Sequence, residues 1–370
     1  MPAQETKVDL LTVPNAPHIR SGESIPKIMW SVVIALSPAA VFSVYLFGPH
    51  AIMLIAVSVS SAVIAEAVIQ TVLRKRVAAL DGSAAVTGLL LAMNLPPLAP
   101  WWMAVFGSFF AIIIVKQLFG GLGSNIFNPA LAARAFLMAS WPVRMTADWH
   151  QHGGMEALPS ALTSGPRLPQ AVFDTFTQAT PLSLLKEGPK IMADNNIAVS
   201  RLYETVISPA TLKSLLVWNA GGCIGETSAL LLLAGAAFLF IRRIITWHVP
   251  VSFVGAVAIA AAVYYYLTGF NDPYLMILVH VLSGGLVLGA FFMATDTTTS
   301  PVSAKGMILF GAGCGIITFG IRIWGGYPEG VCYAILIMNA FVPLIDRLTK
   351  PKIFGAVKIV HRIISHEKKD

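Results

Sequence analysis

Long apolar runs alternate with short polar connections along most of the chain. A helix that crosses the hydrocarbon core of a bilayer needs about 20 apolar residues, and ten runs approach this length. Their limits are 28–47, 51–73, 83–96, 101–119, 127–141, 224–241, 249–268, 274–294, 306–322 and 330–346. The pattern predicts an all-α polytopic membrane protein with about ten transmembrane helices.

Several of these runs are short or interrupted by glycine and proline, most clearly 83–96. Lipid offers no partners for free backbone N–H and C=O groups, so such segments need neighbouring helices or a lined cavity. The interrupted runs therefore indicate where a binding site lies. Of the long stretch 143–215, only 196–216 has a partly helical pattern.

Composition excludes a water-soluble domain of ordinary proportions. The chain is 56% hydrophobic and 12% charged, with a mean hydropathy of +0.74. Its formal net charge of +7 does not indicate nucleic acid, because the basic residues stand beside apolar runs rather than on one face. The expected partner of this surface is the lipid bilayer.

The basic residues of the short connections predict the orientation. They are Arg20, Lys27, Arg74, Lys75, Arg76, Arg242, Arg243, Arg347, Lys350 and Lys352. All fall on one side of a ten-span topology, and the positive-inside rule makes that side the cytoplasm. Because no apolar signal-peptide core precedes the first span, we expect a retained, cytoplasmic N-terminus in a bacterial cytoplasmic (inner) membrane.

This orientation divides the chain into five parts. They are a cytoplasmic N-terminal segment (1–27), a first membrane half (28–141), an extracytoplasmic loop (142–223), a second membrane half (224–346) and a basic cytoplasmic tail (347–370). Five spans on each side of the loop place the halves in opposite orientations. Gly82-Ser83-Ala84-Ala85 is similar to Ser283-Gly284-Gly285, which favours an inverted repeat, although chance likeness of two such helices explains it nearly as well.

A polar segment in the long loop carries the first candidate chemistry. Asp174, Thr177, Ala179, Thr180 and Pro181 stand in a turn-prone stretch within an otherwise apolar protein. Pro181 biases Thr180 away from helix, so one interpretation is an exposed loop in which Ala-Thr-Pro starts a turn. The other is a cofactor attachment site.

A second candidate precedes the fifth span. Gly121 and Gly123 belong to a glycine-rich turn that lets backbone approach a ligand closely, while Asn128 suits a helix N-cap and Pro129 a first helical position. The Asn125 and Asn128 amides could hydrogen-bond to the polar edge of a bound ligand. A plain capped re-entrant turn is the alternative.

These segments together resemble the NqrB/RnfD family, and the RnfD branch more closely. Other matching segments are Gly225-Glu226-Thr227-Ser228, Met293-Ala294-Thr295-Asp296 and Asn339-Ala340-Phe341-Val342-Pro343-Leu344-Ile345-Asp346. Because the segments occur in this order among the ten predicted spans, the resemblance covers about residues 20–350. The resemblance implies FMN joined to Thr180 by a phosphoester, with Asp174, Thr177, Ala179 and Pro181 as motif neighbours. It also implies a second, non-covalent flavin (riboflavin or FMN) near Asn125, Asn128, Gly121 and Gly123.

The implied activity is electron transfer between ferredoxin and NAD, coupled to Na⁺ or H⁺ translocation in an Rnf-type complex. The resemblance makes the chain a translocase subunit that is active only within that complex. The implied partners are other Rnf-type membrane, iron–sulfur and flavin subunits, and a flavin transferase for maturation. Cys223, Cys314 and Cys332 lack CxxC spacing, so neither an iron–sulfur nor another metal site is expected in this chain alone.

Carboxylates inside or at the ends of spans are candidates for an ion path, because buried charge is costly and usually functional. Glu66 lies within the second span without an obvious intrahelical partner, and Asp296 and Asp346 lie at span ends. Lys116 and Arg134 could face the same cavity or extend to the membrane interface, and the interface is the expectation for Lys116.

A different class of function fits the same spans. Two inverted halves, broken helices and a buried Glu66 would also suit a small-solute channel or secondary transporter without a redox cofactor. Thr180 separates the two classes, because only the electron-transfer interpretation requires its hydroxyl.

Overall fold

The computed structural model describes residues 24–350 except 76, 79, 147–179, 195–208, 218–221 and 271. Within these ranges, every regular element is helical. The elements are α1 Ile25–Phe47, α2 Pro49–Val72, α3 Ser83–Met93, α4 Trp101–Phe109, α5 Pro129–Ser140, α6 Pro142–Thr146, α7 Pro181–Asp194, α8 Pro209–Val217, α9 Ala229–Ile241, α10 His248–Leu267, α11 Pro273–Leu282, α12 Leu286–Leu288, α13 Ala304–Trp324 and α14 Val331–Leu348. Two of them continue as π-helix, α4 over Phe110–Gln117 and α12 over Gly289–Met293.

Each predicted apolar run overlaps an apolar helix. Five helices are long and apolar enough to cross a membrane, namely α1, α2, α10, α13 and α14. A sixth candidate span is the pair formed by α11 and α12 with its π-helical continuation, bent by 60°. Shorter apolar helices account for the other four runs. The prediction of a polytopic all-α membrane protein is confirmed, and the number of ten spans stays a prediction.

The short helix α3 lies inside the bundle, whereas the long helices α1 and α2 lie at its surface. Nine of the 11 residues of α3 are buried, whereas α1 and α2 expose apolar side chains such as Val41 and Ile64. Lipid cannot satisfy the free backbone groups at the ends of a short helix, so shielding by long helices is the physical requirement. The shortest predicted run therefore forms part of the protein interior.

Glycines allow the closest helix approaches. A Cβ on Gly235 of α9 would lie 2.1 Å from the Ala35 carbonyl oxygen of α1, and one on Gly88 of α3 would lie 2.8 Å from the Ser58 carbonyl oxygen of α2. Small residues at such crossings let the two helix backbones approach closely. The resulting dispersion contacts hold the helices together, because the hydrophobic effect does not drive helices to associate in lipid. The α1–α9 contact joins the two halves of the chain.

We expect Gly235→Ala to lower stability by about 1–3 kcal/mol, because the added methyl group must push α1 and α9 apart. Gly320→Ala is the matched control, since Gly320 also lies within a helix and a methyl group added to it would have nothing within 4 Å. Thermal unfolding of the two purified variants measures the difference. Equal melting temperatures would refute the close contact.

The break between α11 and α12 depends on two glycines and one arginine. Gly284 and Gly285 adopt left-handed backbone conformations with φ of +68° and +65°. The buried Arg322 side chain of α13 donates hydrogen bonds to the carbonyl oxygens of His280, Ser283 (3.0 Å) and Gly284 (3.4 Å). The guanidinium thus satisfies carbonyls that the interrupted helix leaves open.

The two similar sequence segments occupy similar positions. Gly82 precedes α3 with φ +86°, and Gly285 precedes α12 with φ +65°. Each left-handed glycine is followed by a short, buried helix in its own half of the chain. The internal repeat and the opposite membrane orientation of the halves stay predictions.

Helix α7 was not anticipated from the sequence. The segment at Thr180, for which a turn in an exposed loop was one interpretation, is a helix start, with Pro181 at the first helical position, where its missing N–H costs nothing. The partly helical prediction for 196–216 is represented by α8, Pro209–Val217. Its earlier part, 196–208, lies outside the described residues.

Candidate functional site

Thr180 caps the amino end of α7. Its Oγ1 accepts a hydrogen bond from the Ser183 backbone N–H at 3.2 Å, and its carbonyl oxygen accepts one from Leu184 N–H at 2.9 Å. The residue is buried, with 7% of its surface exposed. The helix dipole makes this end of a 14-residue helix favourable for an anionic group.

Two contacts hold α7 against the end of α13 and the α11–α12 break. The Lys186 ammonium donates to the carbonyl oxygens of Tyr327 (2.9 Å) and Ile321 (3.3 Å). Leu182 packs so closely over Gly284 that a Cβ there would lie 2.3 Å from Leu182 Cδ1. Partial burial lowers the pKa of Lys186 below its usual value. Thr180 therefore has a fixed position relative to the break.

Lys186→Met is expected to loosen α7, because it removes two hydrogen bonds from a charged donor. Amide hydrogen exchange over 182–190 should accelerate by about 10-fold or more in the assembled protein. Lys190→Met is the control, since Lys190 lies exposed on the same helix. Similar exchange in both variants would contradict a docking role for Lys186.

The other motif residues of this segment have no structural description. Asp174, Thr177 and Ala179 lie outside the described residues. Pro181 is described only as the first residue of α7. Their roles stay predictions from the resemblance.

A pocket lies near the opposite end of α13 from α7. Helix α13 has 21 residues and so extends for about 30 Å. Lys186 contacts its carboxyl end, and the pocket wall at Asp296 precedes its amino end. The pocket has about 810 Å³ of empty space, including its open mouth. Its lining includes Lys116, Asn125, Asn128, Phe291, Phe292 and Asp296.

Asn128 acts as the predicted N-cap of α5. Its Oδ1 accepts hydrogen bonds from Ala130 N–H at 3.1 Å and Leu131 N–H at 3.3 Å, and Pro129 occupies the first helical position. Its Nδ2 donates to the Met293 carbonyl oxygen at 3.1 Å. This asparagine therefore joins α5 to the end of α12 while it lines the pocket.

Asn125 and Asp296 form the polar wall of the pocket. Asn125 Nδ2 donates to the Phe127 carbonyl oxygen at 3.1 Å, and its side chain also reaches Asp296. Asp296 accepts hydrogen bonds from Thr298 N–H at 3.2 Å and from the Thr298 and Thr299 hydroxyls. Burial raises the pKa of Asp296, and these hydrogen bonds partly oppose that rise.

The glycine-rich turn before α5 needs its glycines for backbone reasons. Gly121 has φ +106° and Gly123 has φ +92°, values that other residues rarely adopt. Space does not require them, because a Cβ at Gly121 would meet only Gln117 Oε1 at 3.5 Å and one at Gly123 would meet nothing. The turn brings Asn125 to the pocket.

Glu66 and Lys116 form a buried ion pair, with Oε1 and Nζ 2.7 Å apart and both side chains 2% exposed. The expectation that Lys116 extends to the membrane interface is wrong, because a carboxylate compensates its charge inside the bundle. Glu66 also has an intrahelical partner, Gln70, whose Nε2 donates to Oε1 at 3.2 Å. Gln117 Nε2 donates to the same oxygen at 2.9 Å.

The three ion-path candidates lie in different surroundings. Asp296 lines the pocket, and Glu66 reaches it through Lys116. Asp346, near the end of α14, accepts a hydrogen bond from Val302 N–H at 3.0 Å. The structure thus places Asp296 in the pocket wall, Glu66 behind Lys116 of that wall, and Asp346 in a contact that holds the loop before α13.

Sequence reasoning missed a second buried network centred on Arg134. Its guanidinium donates to Asn94 Oδ1 at 2.6 Å, to Cys223 Sγ at 3.4 Å and to the Glu329 carboxylate. The donor atoms of Cys223, Glu226 and Glu329 lie within 4.8 Å of one another, a spacing that could hold a metal. Arg134 already supplies a positive charge to this group, and it ties α5 to the second half of the chain.

The fold and these two sites define a polytopic α-helical membrane protein with a buried pocket near one end and a capped threonine near the other. Residues 12–355 match the family model described as the NQR2, RnfD, RnfE family. The chain therefore belongs to this family.

Similar proteins extend over nearly the full chain. The chain is 49% identical to the D component of the Na(+)-translocating ferredoxin:NAD(+) oxidoreductase complex of Acetobacterium woodii, covering 94% of this chain and 96% of that protein. It is 44% identical to the D component of the proton-translocating ferredoxin:NAD(+) oxidoreductase complex of Clostridium ljungdahlii, covering 96% and 99%. Identity to the D component of the ion-translocating oxidoreductase complex of Halorhodospira halophila is 37%, covering 93% and 95%.

Proposed function

We propose that this chain is the membrane flavoprotein subunit of an ion-translocating ferredoxin:NAD⁺ oxidoreductase complex. It would carry FMN on Thr180 through a phosphoester and work only with its partner subunits, some of which bear iron–sulfur centres and flavins. We place it in a bacterial inner membrane, with Thr180 on the extracytoplasmic side and both termini in the cytoplasm.

The position of the Thr180 hydroxyl carries this proposal. A phosphate joined to Oγ1 would lie at the amino end of α7, where the helix dipole and the Ser183 N–H favour negative charge. Loss of the Thr180 cap bond to Ser183 N–H would be offset by phosphate oxygens accepting from the same helix end. Lys186 and Leu182 hold that helix in place, so the attached group would have a defined site.

The pocket near Asp296 fits a second, non-covalent flavin. Its apolar walls with few polar groups suit a planar ring with one polar edge. Phe291 and Phe292 would contact the ring, and Asn125 with Lys116 would face its polar atoms. The side-chain oxygen of Asn128 already accepts hydrogen bonds from the backbone of α5, so the role that we propose for Asn128 is to position this wall.

When bound, the flavins supply the redox chemistry, and the chain holds them and shapes their surroundings. Its own contribution includes a dry interior and buried charges whose balance can respond to the cofactor. Glu66 is the carboxylate best placed for the ion path, because Lys116 connects it to the pocket. Asp296 serves mainly to build the pocket wall.

Flavin content of the natively matured complex tests this proposal. After acid denaturation, the band of this chain should keep a covalently bound flavin and should fluoresce on a denaturing gel. A band without fluorescence would contradict the proposal. A colourless chain that moves a small polar solute into vesicles would instead favour the transporter class.

A further inference from the structure

A cationic pocket lies where α7 meets α11 and α13. Its lining includes Lys186, His280 and Arg322, and none of the described residues that line it is acidic. An apolar groove between α10 and α13 adjoins this pocket, since Tyr264 lines both. We propose that the cationic pocket and the apolar groove together bind one anionic phospholipid, with its phosphate in the pocket and an acyl chain in the groove.

The cationic pocket holds positive charge that no carboxylate neutralises by direct contact. The Lys186 ammonium donates to two carbonyl oxygens, which leaves its third proton for a ligand. The Arg322 guanidinium donates to backbone carbonyl oxygens and, like Lys186, forms no ion pair with any described residue. Two neighbouring cations of this kind favour an anionic ligand, and phosphate oxygens are strong acceptors for both.

A histidine of the same pocket has an unused hydrogen-bonding atom. His280 is 2% exposed, and its Nε2 lies 3.0 Å from the Tyr265 hydroxyl. Its Nδ1 is buried without a hydrogen-bond partner among the described residues. When the Tyr265 hydroxyl donates to Nε2, Nδ1 carries the proton and can donate to a phosphate oxygen. Because an unsatisfied buried polar atom is costly, this nitrogen indicates a ligand that the described chain does not supply.

The apolar groove opens because α10 and α13 diverge toward this end of α13. A Cβ on Gly315 of α13 would lie 2.5 Å from the Ala256 Cβ of α10, so the helices are in close contact there. Further along α13, a Cβ on Gly320 would have nothing within 4 Å, and Gly320 lines the groove. Other lining residues are hydrophobic and exposed at the surface of the bundle, namely Ile259, Val263, Leu267, Ile316 and Trp324. The groove therefore faces lipid.

The dimensions of the groove fit a lipid chain better than a partner helix. From Ile316 to Trp324 it follows α13 for about 12 Å at 1.5 Å per residue. That length is close to one leaflet of the hydrocarbon core, about 15 Å, whereas a membrane-crossing helix needs a contact surface of about 30 Å. Trp324, Tyr266 and Tyr274 are exposed at this end of the bundle, as is typical of the membrane–water interface. The cationic pocket thus lies near the level of the lipid head groups.

A bound lipid would also fasten α7 to the bundle. Lys186, Leu182 and Leu185 of α7 line the cationic pocket together with residues of α10, α11 and α13. A phosphate there would bridge α7 to these helices, in the way that basic pockets between transmembrane helices bind anionic head groups. Lipid binding at this site would not depend on a flavin at Thr180.

Photocrosslinking in the purified intact complex tests the site. The probe is phosphatidylglycerol with a photoreactive acyl chain, added to phosphatidylcholine nanodiscs, and peptide mass spectrometry maps the labelled residues. Labelling of 256–267 and 316–324 should exceed that by a phosphatidylcholine probe with the same chain by about 5-fold, the preference that one nearby cation gives an anionic lipid. Lys186→Met should remove most of this preference. Lys190→Met should keep it, because Lys190 lies exposed on the same helix.

Gly320→Leu fills the groove and should reduce labelling by at least about 5-fold, because leucine occupies the space of the acyl chain. Gly255→Leu is the matched control, since Gly255 lies within α10, has equally free space at its Cβ and does not line the groove. Both variants keep Lys186, so this pair decides the matter if Lys186→Met fails to assemble. Equal labelling by the two probes, or undiminished labelling in Gly320→Leu, would overturn the inference. Absence of labelling in both segments would overturn it as well, because a partner subunit would then cover the groove.

Discussion

Thr180→Val is expected to remove the covalent flavin and to reduce ferredoxin:NAD⁺ activity of the complex by at least about 100-fold. Valine keeps the shape of threonine but lacks the oxygen that would form the phosphoester. A carrier missing from an electron-transfer chain cannot be replaced by neighbouring side chains. In-gel flavin fluorescence and the activity of purified complex measure the two effects.

Thr180→Ser is the matched control, because serine keeps the hydroxyl and can cap α7 in the same way. Thr180→Val also removes the cap, at a cost of about 1 kcal/mol, which is too little to explain loss of the flavin. Full activity in Thr180→Val would contradict the assignment. Thermal unfolding separates the cost of the lost cap from loss of the cofactor.

Glu329→Gln is expected to destabilise the folded protein by about 3–5 kcal/mol. The change leaves the Arg134 guanidinium buried without its carboxylate partner, and uncompensated buried charge is among the most costly defects. Because Arg134 connects α5 with Glu329 of the second half, the substitution should weaken the contact between the two halves. Thermal unfolding and size-exclusion chromatography of the purified protein report this loss.

The double variant Arg134→Met, Glu329→Gln should recover much of that stability, since neither partner is then left charged. Glu187→Gln provides the control for the single substitution, because Glu187 lies exposed on α7. If Glu329→Gln unfolds at the same temperature as Glu187→Gln, the ion pair does not hold the halves together.

The membrane fold was predictable because lipid imposes a simple length requirement on apolar runs. Each of the predicted runs overlaps an apolar helix, and the shortest became α3 in the interior. The 60° bend between α11 and α12 was not predictable in geometry, although Gly284 and Gly285 marked its position. Arg322, which satisfies the open carbonyls there, comes from a different helix.

Helix α7 was missed because its sequence signals point both ways. Pro181 disfavours helix at the residue before it, yet it suits the first helical position. Thr180 can likewise start a turn or cap a helix. The hydrogen bonds from Lys186 to the end of α13 favour the helix, and a contact between residues so far apart in sequence cannot be predicted from the sequence alone.

Local features of the pocket were predictable and distant pairings were not. Asn128 and Pro129, which are adjacent in sequence, predict the capped start of a helix, and the structure has that cap. Glu66 and Lys116 are 50 residues apart, and Arg134 and Glu329 are 195 apart. A charged residue inside an apolar run indicates that a partner of opposite charge lies nearby, but only the folded structure identifies that partner.

Mass spectrometry of natively matured protein tests the central claim most directly. Proteolysis should yield a peptide covering 168–186 whose mass is increased by esterified FMN, with fragmentation assigning the added group to Thr180. The same peptide found entirely without flavin, in material that retains ferredoxin:NAD⁺ activity, would contradict the account.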